Sequence, residues 1–142
     1  MRKKIFFRLE VSDGYPPVAE ESLWINEIND RLYEIDNIPF YTRDVSLGDI
    51  VSATQEEGIL YFRSVIRDSG NSTLRVIFFD EERSNVCVID YLKQLGCEVE
   101  FFSKKFIAVS IKKAEELADV ISYLEAQAAE EILDYEIGKV VI

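Results

Sequence analysis

Apolar residues alternate with polar ones through the first half of the chain. Ile5, Phe7 and Leu9 recur at every second position, which predicts a half-buried strand over residues 4–11. Asp13-Gly14-Tyr15-Pro16-Pro17 breaks the pattern, since a glycine and two prolines favour a loop. Strands follow over 21–28 and 31–38, joined by a hairpin turn at Asn29-Asp30, and Pro39 ends the second. Two more, over 49–54 and 58–67, flank the polar turn Gln55-Glu56-Glu57-Gly58. Five short strands separated by turn signals predict a small barrel-like sheet.

The period changes in the second half. Residues 73–79 are mostly apolar and read as a strand. Ser84 stands where it can cap a helix whose Val88, Ile89, Leu92 and Leu95 recur at helical spacing, and Gly96 suits its C-terminus. Strands at 97–102 and 106–111 flank Ser103-Lys104-Lys105. A helix over 114–132 turns Leu117, Val120, Ile121, Leu124 and Ala128 inward and Glu115, Glu116, Asp119 and Glu125 toward water. A strand over 133–140 completes the order β-α-β-β-α-β, the ferredoxin-like split unit. The fold class is therefore α+β, with a five-stranded barrel-like subdomain at 1–72 packed on a ferredoxin-like subdomain at 73–142.

With 142 residues, 48% of them hydrophobic, the chain is long enough to bury a core. No apolar run has the length of a membrane span, and Arg8 and Glu10 cut short the stretch after the basic N-terminus, so a cytoplasmic protein is expected. The net charge is −11, with 8 basic against 13 acidic residues in 1–72 and 8 against 14 in 73–142. Acid excess in both halves argues against nucleic acid and favours a basic protein partner. The chain has no histidine, which removes the commonest general base and metal ligand. Cys87 and Cys97 cannot make a zinc site alone, and their apolar neighbours predict buried, slowly reacting thiols. No metal, cofactor or enzymatic activity is expected.

Asp36-Asn37-Ile38-Pro39 reads as a structural turn, and Gly48 as a position needing positive φ before a barrel strand. Ser69, Asn71, Ser72 and Arg75 are candidate anion-binding residues, although the spacing is not that of a phosphate loop. Glu98 and Glu100 share one strand face, opposite a buried face expected to hold Cys97, Val99 and Phe101. Phe78, Phe102 and Phe106 are possible stacking platforms for RNA, which the neighbouring carboxylates disfavour. Asp80, Glu81, Glu82, Glu115, Glu116 and Asp119 are the acidic candidates for partner contact.

The chain resembles a family of small uncharacterised bacterial proteins, the domain-of-unknown-function 4265 family. The resemblance is carried by Phe7-Arg8-Leu9-Glu10-Val11, Glu21-Ser22-Leu23-Trp24, Asp36-Asn37-Ile38-Pro39-Phe40, Ser46-Leu47-Gly48-Asp49 and Gly96-Cys97-Glu98-Val99. Asn71 stands where the resemblance leads one to expect a histidine. The family implies no activity or cofactor. By analogy with other small acidic bacterial proteins, the leading expectation is an immunity protein that binds and neutralises a cognate basic toxin. The alternative is a regulatory module that binds a small molecule between its subdomains.

Overall fold

Alternation along the first strand sends Ile5 and Phe7 into the interior of a closed five-stranded barrel. The computed structural model describes residues 3–80 and 83–140. The chain divides into two units, one up to Ser69 and one from Gly70 onward. In the first, β1 (Lys3–Arg8), β2 (Glu20–Asn29), β3 (Leu32–Ile35), β4 (Ile50–Glu56) and β5 (Ile59–Arg67) follow one another antiparallel. A parallel pairing of β1 with β5, at Ile5↔Leu60 and Phe6↔Tyr61, closes the barrel. Its interior is filled by Ile5, Phe7, Leu23, Ile25, Ile35 and Val51, with the Phe7 and Phe62 rings stacked at 4.8 Å. Register shifts in the β4–β5 ladder bend these strands as closure requires.

Two turns differ from expectation in detail. The β2–β3 turn is Asp30-Arg31, with Arg31 and not an Asn or Asp at positive φ (67°). The β4–β5 turn tightens to Glu57-Gly58, both at positive φ (53° and 83°), because Glu56 pairs with Ile59.

β3 ends at Ile35, three residues early, because the segment after it hydrogen-bonds to β2 and not to a neighbouring ladder. Asn37 Oδ1 accepts the Trp24 N–H at 2.7 Å, and Ile38 is buried. The Glu21 carboxylate then accepts three consecutive backbone donors, Phe40 N at 2.6 Å, Tyr41 N at 3.1 Å and Thr42 N at 2.8 Å. Buried Asp49 binds the next turn the same way, accepting Ser46 N at 2.9 Å and Ser69 N at 2.8 Å. Gly48 takes φ 86° and donates its N–H to Ile35 O. The sequence motifs of this unit are thus mutual partners that pin a long loop to the barrel, since a buried loop must find acceptors for its N–H groups.

The second unit comprises β6 (Ser72–Phe78), α1 (Arg83–Gln94), β7 (Glu98–Phe101), β8 (Phe106–Ile111), α2 (Ala114–Ala129) and β9 (Leu133–Ile137). The sheet order is β7-β8-β6-β9 with every neighbouring pair antiparallel, which is the ferredoxin-like arrangement. Leu74, Val76 and Phe78 share one core with Val88 and Leu92 of α1 and Val120 and Leu124 of α2, so both helices lie on the same sheet face. The Tyr135 hydroxyl donates to Glu125, tying β9 to α2, and burial and this carboxylate push its pKa up to about 12, the hydrogen bond contributing most. Helix α1 starts at Arg83, so Ser84 lies in its first turn and does not precede it. Helix α2 ends at Ala129 and β9 at Ile137, both short of the expected limits. Gly138 follows, where an added Cβ would come within 2.6 Å of Arg75 Nη1 and 3.2 Å of Thr73 O. Among the described residues no helix is long and apolar enough to cross a membrane.

Replacing Glu21 with alanine removes one acceptor from three loop N–H groups at once. Urea unfolding should show a loss of about 2–4 kcal/mol for Glu21→Ala, and a smaller loss for Glu21→Gln, which keeps one oxygen acceptor. Equal stability of Glu21→Ala and wild type would show that water replaces the carboxylate at no cost.

Candidate functional site

Chain direction separates the acidic residues. β6 and β7 run one way and β8 and β9 the other, so the β6–α1 connection holding Asp80 lies at one end of the sheet and the start of α2 at the opposite end. Asp80 is exposed and its carbonyl accepts Asn85 Nδ2 at 2.6 Å; Glu81 and Glu82 lie outside the described residues. Glu115 and Glu116 occupy the first turn of α2, where no side chain caps the helix and their charge complements its dipole. Glu115 and Asp119 are exposed, whereas Glu116 is half-buried against Gly96. The fold therefore brings Glu115, Glu116 and Asp119 together and sets Asp80 apart from them.

The residues from Ser69 to Arg75 are committed to structure. Ser69 donates its N–H to Asp49 and its hydroxyl to Leu47 O, both at 2.8 Å. Ser72 and Arg75 are each 1% exposed, and Asn71 is half-buried. Arg75 Nη1 lies 3.5 Å from Glu136 Oε1, its cross-strand neighbour on β9. Glu98 is exposed beside Lys112 at 3.7 Å, and Glu100 is half-buried. Phe78 is buried on the helix side of the sheet, so it offers no stacking face, while the Phe102 and Phe106 rings contact each other at 5.5 Å. Among the described residues no three His, Cys, Asp or Glu side chains gather as a metal ion requires.

A groove of about 600 Å³ opens between α1, the end of β7 and the β7–β8 turn. Asn85, Val86, Ile89, Asp90 and Lys93 line it from the helix, Phe101 from β7, and Ser103 and Lys104 from the turn. It exists because Val88 and Leu92 face the sheet core, which rotates Val86 away from it and leaves that side chain 58% exposed. Phe101 was expected in the buried face with Val99. It is 56% exposed instead, because β7 is an edge strand and α1 does not cover its last residue. The lining combines the apolar Val86, Ile89 and Phe101 with one carboxylate and two ammonium groups. Among the described residues none of Asp90, Lys93 and Lys104 takes part in an ion pair. Sequence reading missed this site because it joins a helix flank, a strand end and a turn. Its local signal was Val86 off the apolar stripe and Phe101-Phe102 beside Lys104-Lys105.

The two thiols also part company. Cys97 is buried, and burial, with Glu116 nearby, pushes its pKa up to about 11. Cys87 is exposed, contrary to expectation, because it precedes Val88 on α1 and shares the outer face with Tyr91. Tyr91 stacks on Tyr123 of α2 at 4.2 Å, and burial raises the Tyr123 pKa, with Tyr91 and Cys87 adding to it.

Residues 21–135, spanning both units, match the family described as "Domain of unknown function (DUF4265)", and the chain belongs to that family. A solved structure, "Novel crystal structure of a hypothetical protein from Neisseria gonorrhoeae", is similar over 100% of this chain and 97% of its own. The TM-score is 0.86 at 22% identity, a likeness of fold. No curated protein matches the chain.

Thiol labelling of the native protein at pH 8 should show one fast and one slow phase. Cys87→Ser should remove the fast phase, and the slow one should accelerate as the pH approaches about 11, where Cys97 ionises. Two slow phases would mean that α1 is rotated from the register described.

Proposed function

We propose that this chain is a non-enzymatic binding protein that takes a small molecule in the groove between α1 and β7. The observation that carries the reading is the groove itself: about 600 Å³, lined by the apolar side chains of Val86, Ile89 and Phe101 together with polar and charged ones from Asn85, Asp90, Lys93, Ser103 and Lys104. That volume falls in the range of about 300–1,000 Å³ typical of small-molecule sites. The absence of histidine from the sequence fits binding better than catalysis. The proposed site differs from the Ser69–Arg75 segment, which the sequence offered only as an alternative ligand site. A cytoplasmic setting is part of the proposal and keeps the exposed Cys87 a thiol.

A thermal-shift screen against metabolites tests it. A ligand at a hundredfold excess over Kd stabilises the folded state by about 2.7 kcal/mol. Phe101→Ser with Val86→Ser should abolish that shift while leaving the melting temperature of the free protein almost unchanged, since both side chains are exposed. A ligand that stabilises the double variant as much as wild type binds elsewhere, and the reading fails.

The net charge of −11 favours a second reading, in which the chain is an immunity protein whose carboxylates cover the basic active site of a toxin. Glu115 and Asp119, exposed, with Glu116 beside them, are its contact patch. Association with a basic partner should then slow steeply as added salt shortens the Debye length from ~10 Å at 0.1 M to ~3 Å at 1 M. Neutralising the three carboxylates together should reproduce part of that loss in stopped-flow kinetics. An association rate indifferent to both leaves the acidity a matter of solubility.

A further inference from the structure

We propose that the ligand of the α1–β7 groove is an amphipathic anion, a carboxylate head on an aliphatic tail. The inference rests on the reading of the groove as a binding site and adds the chemistry of its occupant. The chain as a whole repels anions, with 27 acidic against 16 basic residues. Along this rim the balance reverses, with Lys93 and Lys104 against Asp90. Neither lysine is engaged in an ion pair among the described residues, so their charge is available to a ligand.

The head belongs at the turn end. Lys104 stands there beside Ser103, whose hydroxyl oxygen accepts the Lys105 N–H at 3.3 Å and so keeps its own proton to donate. Asn85 stands at the same end and commits one N–H of its amide to Asp80 O. From that end Phe101 and Val86, then Ile89, offer apolar side chains to a tail. The helix residues from Asn85 to Lys93 extend about 12 Å along the axis. The Lys93 stem closes the far end with methylenes and adds a second positive charge to the rim. A carboxylate without a tail leaves most of about 600 Å³ unfilled by apolar contact, and a tail without a charged head makes no use of the two lysines.

The test is calorimetric titration of the intact protein with octanoate, decanoate and dodecanoate below their micelle concentrations. The matched alkanols and alkylamines serve as controls. Affinity should rise about fourfold per added methylene. The acids should bind about tenfold tighter than the alkanols, and the amines weakest. Lys104→Gln should erase the preference for the acid without touching the tail-length dependence, and Lys93→Gln should reduce it less. Phe101→Ser should flatten the tail-length dependence. Acids, alkanols and amines that bind alike, all weakened by Phe101→Ser, would overturn the anionic head and leave the groove as a binding site. Binding of none of the three series, or binding untouched by Phe101→Ser, would overturn both.

Discussion

The second unit depends on how α1 is rotated against the sheet. Val88 and Leu92 must be buried against Leu74, Val76 and Ile107, because the unit has one core and these residues close it. Once they are placed, every other position on the helix is determined by 100° steps. Cys87 and Tyr91 face outward, Tyr91 meets Tyr123 of α2, and Val86 and Asp90 are left on the flank above β7. The groove is the consequence of that rotation combined with sheet order. With β7 at the edge and only four residues long, no further strand lies under the helix flank.

Charge is handled differently in the two units. In the barrel, two carboxylates do the work of missing ladders: Glu21 collects the N–H groups of Phe40, Tyr41 and Thr42, and Asp49 those of Ser46 and Ser69. Cations instead lie over rings on the outer surface, Lys4 on Trp24 at 4.5 Å and Arg8 on Tyr61 at 3.9 Å. In the second unit a guanidinium is buried in the central strand. Arg75 meets Glu136 across the ladder, and Gly138 supplies the space that any larger residue would take from it. With Arg75 buried and Glu136 half-buried, the pair contributes little net stability, yet losing the carboxylate would leave a buried guanidinium without this counter-charge, so it ties β9 to β6 in one register.

The family motifs can be understood in the same terms. Glu21-Ser22-Leu23-Trp24 and Asp36-Asn37-Ile38-Pro39-Phe40 are two halves of one hydrogen-bonded connection, and Ser46-Leu47-Gly48-Asp49 is a turn closed on its own aspartate. Their specificity as a signature reflects the backbone they hold. None of them contributes to the groove, whose lining comes from positions 85–104. The match over residues 21–135 and the fold shared with the gonococcal protein therefore describe architecture.

Local periodicity alone determined most of the fold. Alternation at Ile5 and Phe7, helical spacing at Val88 and Leu92, and the apolar face of α2 each report on neighbours a few residues away, so they are legible along the chain. The order of elements followed from them, as did the architectural role of Gly48. Strand and helix ends were less legible, because Asn37, Glu21 and Gly138 act through partners far away in sequence. Burial of Phe101 and Cys87 was misjudged for the same reason: apolar neighbours in sequence do not say which side of an element is covered. Only the tertiary structure decided that α1 leaves the end of β7 open, that Asp80 and Glu115 stand at opposite ends of the sheet, and that Arg75 is enclosed. Each of those depends on strand order and on helix rotation, which are set by packing the whole unit and by no single segment of it.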